Sequence, residues 1–224
     1  AAYYKGGLRE LTAWVPHLKD VGVKTVYLMT IWSSHGYTPD DYYKISRKFG
    51  TDQDLKALVE AVHKHDMRIL LDLVTGYSNP NPDNYIYRDY PDWHLKDPKG
   101  RILRFYPDRW GPAIDRAKPE VIEYFAEVAR YYVERFDIDG WRIDAPQNNY
   151  DPKVVPGDHS ATALLQRVKA AIVGVKPDAV LLTELPGLNS EGNPRAEALF
   201  DEMAEVSYDW FLIGQTKVEL DAIP

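Results

Sequence analysis

The 224-residue sequence predicts an α/β fold built on a parallel sheet, and three observations carry that expectation. Short apolar runs alternate with amphipathic segments, the pattern of successive βα units. The apolar runs are nearly continuous instead of alternating, as in strands covered on both faces. Three of them acquire a carboxylate near the C-terminal end, where parallel α/β folds bind their ligands. No internal repeat or low-complexity linker interrupts the order.

The elements follow in sequence. Residues 7–20 place Leu8, Leu11, Val15 and Leu18 at helical spacing, and Gly22 is a suitable stop. VKTVYLMTI (23–31) reads as a strand. TDQDLKALVEAVHKHD (51–66) is an amphipathic helix with Thr51 as cap and Asp54 at the reciprocal position three residues on. RILLDLV (68–74) is a buried strand. Residues 75–118, rich in Pro, Asn, Asp and Tyr, are too long for an ordinary connection and read as an insertion with its own function. Within it Trp93 and Trp110 either line a cleft or form the insertion's core, and DPKG (97–100) is a turn. KPEVIEYFAEVARYYVERF (118–136) is a helix with Pro119 in its first turn. A strand at 141–145, a helix near 159–175, a strand at 179–185, a helix near 194–203 and a last strand at 205–211 complete the order. His63 and His65, beside a helix end, read as surface residues.

Composition narrows the function. The formal net charge of −7 argues against nucleic acid, whose partners are usually basic. With no cysteine there is neither a disulfide nor a cysteine metal site. No run of about 18 apolar residues is present, and no signal peptide precedes Ala1, so a soluble chain is expected, its compartment open. The chain starts without methionine, which fits a processed product or a fragment. Sixteen tyrosines and six tryptophans, many in loop-like stretches, suit flat ligands such as sugars or nucleobases.

DIDGWRIDAP (137–146) concentrates the question. Residues i and i+2 of a strand share a face, so Trp141 and Ile143 lie on one side and Arg142 and Asp144 on the other. Either the charged pair is a structural ion pair, or a carboxylate is held ready beside a cation. Asp72 in LLDLV and Glu184 in LLTELP occupy equivalent places in neighbouring units. Three converging acids raise one another's pKa unless a cation intervenes, and Arg142 is that cation. Oxygen ligands suit Mg²⁺ or Ca²⁺. Two carboxylates also suit a glycosidic bond, one attacking the anomeric carbon and the other protonating the leaving oxygen. Arginine then keeps the first ionised, while a drier site raises the pKa of the second. The aromatic loops favour carbohydrate.

These residues resemble the α-amylase family, glycoside hydrolase family 13, whose catalytic domain is a (β/α)8 TIM-type barrel. DGWRID (139–144) matches its most diagnostic signature. The resemblance implies Asp144 as nucleophile, Arg142 as its hydrogen-bonding neighbour, Glu184 in LLTELPG as general acid/base, and Asp72 as a structural aspartate. In HGYTPDDYYKISRKFGT (35–51) it implies that Tyr37 stacks on the sugar at the cleavage point, beside His35. Residues 1–74 would form the N-terminal part of the barrel, 75–118 a domain-B-like insertion after the third barrel strand, and 119–224 the remainder, truncated before the last strands.

Three departures are visible. The family usually has an asparagine that binds calcium, then a histidine that bonds the sugar; here DLVTGYSN places Gly76 and Tyr77 there. No cofactor follows with certainty, and calcium is left without its usual ligand. A lysine–histidine pair found in many relatives is replaced by APQNN, whose Gln147 and Asn148 either contact sugar hydroxyls or shape a loop. The first barrel strand, the last two, and the usual histidine–aspartate pair have no counterpart, so the expected barrel is incomplete, with about five to six βα units. Open edges recruit other strands, which implies a homo-oligomer through those edges or a longer chain.

The expected activity is that of a retaining glycoside hydrolase or transglycosylase on α-glucosidic bonds of starch-like glucans or maltooligosaccharides. The rival is a non-catalytic carbohydrate-binding or subunit-type relative, or an inactive fragment. A third reading is an Mg²⁺ hydrolase using the same acids.

Overall fold

The computed structural model describes residues 6–32, 37–105, 110–146, 153–184 and the backbone of 206–208. Five strands form one parallel sheet in sequence order. They are β1 (Thr25–Leu28), β2 (Arg68–Val74), β3 (Gly140–Asp144), β4 (Val180–Glu184) and β5 (Val206–Tyr208). Helix α1 (Leu8–Asp20) precedes β1, and α2 (Asp52–Lys64) joins β1 to β2. A short helix α3 (Tyr85–Asp89) and long α4 (Pro119–Phe136) lie between β2 and β3, and α5 (Thr162–Val173) joins β3 to β4. This is part of a (β/α) barrel: β1 to β4 are joined in turn through helical crossovers, and every strand pairs with the next. The helix expected near 194–203 lies outside the described residues. Among those residues no helix is long and apolar enough to cross a membrane.

Local chemistry explains the boundaries. Thr51 caps α2: its Oγ1 accepts from Asp54 N while Asp54 accepts from Thr51 N, so two helix-end donors are satisfied. Pro119 begins α4, where its missing N–H costs nothing. Asp137, at φ 60°, ends α4 in the left-handed conformation. Gly140 opens β3, and a Cβ there would meet Val180 O at 1.9 Å, so only glycine lets β3 and β4 approach.

The main core lies between sheet and helices. Leu55, Leu58, Val59 and Val62 of α2, Phe125, Ala129, Tyr132 and Phe136 of α4, and Leu164, Leu165 and Val168 of α5 are buried there. They pack with the side chains on one face of the strands, Ile69, Leu71, Leu73, Trp141, Ile143 and Leu181. Trp32 stacks on Trp141 at 5.7 Å, with Tyr132 edge-on to both. The opposite face carries Asp72, Arg142, Asp144 and Glu184.

The 75–118 segment carries structure of its own. Besides α3 it holds a 3₁₀ turn (Pro91–Trp93) and antiparallel bridges Tyr77–Ala113, His94–Ile114, Lys96–Ile102 and Arg104–Pro112. Trp93 is buried against Tyr90 and Tyr124, whereas Trp110 is half exposed. The DPKG turn is present, with Asp97 accepting from Lys99 N and Arg101 N. His63 is not simply a surface residue, because its Nε2 pairs with Asp139 Oδ2 at 2.8 Å.

Candidate active site

Register brings the charged residues together. Asp72 pairs with Arg142 across β2 and β3, and Val74 with Asp144. Residues two apart share a face, so both acids and the arginine emerge on one side. Glu184, last in β4, completes the group.

One guanidinium holds all three carboxylates. Arg142 Nη1 donates to both oxygens of Asp72 at 2.9 Å and to Asp144 Oδ1 at 2.8 Å. Its Nη2 meets Glu184 Oε2 at 2.6 Å. Arg142 and Asp72 are buried, and Asp144 is 8% exposed. Tyr27 OH donates to Asp72 Oδ2, and Tyr27 and Tyr37 hydroxyls are 3.4 Å apart. The guanidinium carbon lies 5.7 Å from the Tyr27 ring centre and 5.9 Å from that of Tyr37, within cation–π range.

This sharing changes the electrostatics expected from sequence. Arg142 does not keep Asp144 ionised well into the acid range. Burial, then the charge of Asp72, push the Asp144 carboxyl up to about 7 against the opposing pull of Arg142. One cation divided among three acids cannot offset desolvation at each. Burial raises Asp72 as well, again against Arg142. Burial also pushes the Tyr27 and Tyr37 hydroxyls far above the usual tyrosine range, so both stay protonated as donors.

Of the other expected site residues, Tyr37 packs beside Val74, Tyr77 and Phe105 at the end of β2. Tyr77 is 2% exposed, its ring edge-on to Phe105 and parallel to Trp110 at 5.9 Å. The exposed member of that stacked pair is Trp110. His35 and Gln147, with Asn148, lie outside the described residues. The calcium position does not fit: a Cβ on Gly76 would meet the Phe105 ring at 2.5 Å, so that ring fills the space of the missing ligand side chain. Among the described residues no group of three or more His, Asp or Glu is arranged to hold a metal.

Tyr27 was missed from sequence. A signal for it existed: Tyr27 pairs with Leu70, two residues before Asp72, so parity puts its hydroxyl on the acidic face.

Comparison with known proteins agrees with this geometry. The family described as alpha amylase, catalytic domain, matches residues 2–187. The chain is 30% identical over 200 residues to the maltogenic alpha-amylase of Bacillus acidopullulyticus, covering 82% of this chain and 32% of that protein. It is 30% identical over 203 residues to the cyclomaltodextrinase of Geobacillus thermopakistaniensis, with the same coverage. The crystal structure of the Geobacillus thermoleovorans alpha-amylase complexed with acarbose superimposes with a TM-score of 0.71 at 28% identity, covering 95% of this chain and 47% of that one. A maltogenic alpha-amylase from Thermotoga neapolitana shares the fold, with a TM-score of 0.73 at 24% identity, over 96% of this chain and 49% of its own. The chain thus spans about a third of the length of the curated relatives it matches and about half of these solved structures. With the match running through β1 to β4 and all three strand-end acids, the chain belongs to the alpha-amylase catalytic domain family.

Proposed function

We propose that this chain carries the catalytic groups of a retaining glycoside hydrolase or transglycosylase acting on α-glucosidic bonds of starch-like glucans or maltooligosaccharides. The observation that carries the reading is the single buried Arg142 shared by Asp72, Asp144 and Glu184. It gathers two separate strand-end carboxyls around one point, as double displacement requires. The names of the relatives, maltogenic alpha-amylase and cyclomaltodextrinase, support the substrate class.

Asp144 attacks the anomeric carbon as the glycosidic C–O bond breaks, and Glu184 gives its proton to the leaving oxygen. Glu184 then takes a proton from the incoming water or sugar hydroxyl, whose oxygen displaces Asp144. Arg142 stabilises the carboxylate that leaves in the second step. Tyr37 offers a ring face to the sugar at the cleavage point. Residues 75–118, with Trp110 exposed, form the domain-B-like wall of the cleft, between barrel segments 1–74 and 119–224. His35 is placed beside the sugar on the resemblance alone, and Gln147, which departs from the family pattern after Asp144, either contacts sugar hydroxyls or shapes a loop.

The two acids must fail differently. Asp144→Ala abolishes turnover on every substrate. Glu184→Gln keeps measurable activity on α-glucosyl fluoride, whose leaving group needs no proton, while losing maltooligosaccharides. NMR of the first-formed product should show retained anomeric configuration, the outcome for enzymes whose two carboxyls lie about 5–5.5 Å apart. Inverted product, or equal loss of both substrates in both variants, rejects the assignment. Sugar binding by a parent chain without turnover would instead support the non-catalytic reading.

A further inference from the structure

We infer that Arg116 is a positioning residue of this site: through the backbone of Ala145 it holds Asp144 and Glu184 in their mutual orientation. The inference rests on the reading of those two acids given above. Three features meet at Ala145. Its φ of 40° is left-handed although it carries a Cβ. Pro146 follows, and the residue before a proline is pushed towards extended backbone. Local preference therefore opposes this conformation twice, and the surroundings impose it.

The surroundings are two hydrogen bonds. Ala145 N donates to Glu184 Oε2 at 3.1 Å, and that N belongs to the peptide joining it to Asp144. The Ala145 carbonyl accepts from Arg116 Nη1 at 3.3 Å. Nucleophile, acid/base and Arg116 thus converge on one residue. Arg116 is itself fixed and fully buried. It follows the stretch where the 75–118 segment closes on itself: Ile114 N donates to Gly76 O at 3.0 Å and Asp115 N to Trp93 O at 2.8 Å. Asp115 Oδ1 also pairs with His159 Nδ1 at 2.8 Å. A buried guanidinium is a costly way to fill space, so the directional donation from its Nη1 to Ala145 O is its use. The segment that walls the site thereby also sets the backbone under the nucleophile.

Misplacing a reacting group by about 1 Å costs roughly a hundredfold in rate. In the full 224-residue chain, Arg116→Met should lower kcat about 10–100-fold on both α-glucosyl fluoride and maltooligosaccharide, with KM changed less than about threefold. Arg116→Lys, which keeps a donor without the planar fork, should recover part of the loss. Hydrogen exchange reads the contact without turnover: the Ala145 amide should exchange faster in both variants, while those of Trp141 and Ile143 keep their protection. If Arg116→Met does not fold, Arg116→Lys decides. Unchanged exchange at Ala145, a uniform rise along β3, or kcat within about twofold of the parent overturns the inference. If the parent turns over neither substrate, the assigned function fails and the exchange pattern alone decides the clamp.

Discussion

At Asp144 two requirements oppose each other. The nucleophile proposed here must be ionised to attack, yet burial and the neighbouring Asp72 push this carboxyl up to about 7. The consequence is an acid limb in the pH–rate profile. Below about pH 7 the attacking form is depleted, and kcat/KM should fall tenfold per unit; above it the limb levels off. A profile flat from pH 5 to 8 contradicts this. For the stacking role proposed for Tyr37, the ring face matters more than the hydroxyl. Tyr37→Ala should raise KM or lower kcat by at least tenfold, while Tyr37→Phe stays within about threefold, because base or sugar stacking needs only the ring and is worth about 1–3 kcal/mol. Equal kinetics for the alanine variant and the parent would remove Tyr37 from the site. The arginine and the three acids were legible in sequence because strand parity alone puts Arg142 and Asp144 on one side. Arg116 was not: its contact with Ala145 crosses 29 residues and carries no periodic signal.

Whole elements were readable where an apolar face repeats along them, as in α2, α4 and β2. The first strand is shorter than the apolar run 23–31 suggests, because among the described residues β1 pairs with β2 alone and only over Thr25–Leu28. Helix α3 has five residues, too few for a periodic pattern, and depends on Asn84 accepting from Ile86 N. What joins elements at the other end of the sheet was also hidden. Asp139, just before β3, accepts from Ile69 N and pairs with His63 at 2.8 Å and Lys176 at 2.6 Å. It thereby ties together β2, α2 and the loop before β4. Despite burial, these partners hold its carboxyl below the usual range. Its stabilisation is therefore present above about pH 4 and lost as pH falls through its lowered pKa. Asp139→Asn should cost about 2–4 kcal/mol at neutral pH and leave kcat within about threefold, with the deficit shrinking below pH 4. Calorimetry that finds the same deficit at pH 3 as at pH 7 would exclude ion pairing as its source.

At the scale of the molecule the sheet divides its two faces between stability and chemistry. The helix-covered face is apolar and dry; the other spends burial on three carboxylates that share one cation. The pH dependence of global stability should expose that division. Asp144 has an ordinary value of 3.8 and a folded value of about 7. A carboxyl raised on folding costs nothing below about pH 4, costs progressively more between 4 and 7, and costs its full amount above 7. Asp72 is shifted in the same direction. Asp139 acts oppositely and in a different window, below pH 4. Asp144→Asn removes the buried charge, leaving Arg142 its pairs with Asp72 and Glu184. The raised value is already net of the pull of Arg142, so at about 1.4 kcal/mol per unit the variant should gain on the order of 1–3 kcal/mol at pH 8. For a chain of this length that is a rise of several degrees in Tm, at about 2–4 °C per kcal/mol. At pH 4 the parent is already protonated at this position, and the gain should vanish. By the proposed mechanism the same substitution should abolish turnover, so stability and activity should move in opposite directions at one residue. Melting curves across pH 4–8 test this: a variant less stable than the parent at pH 8, or a gain independent of pH, would show that Arg142 repays the burial of Asp144 after all.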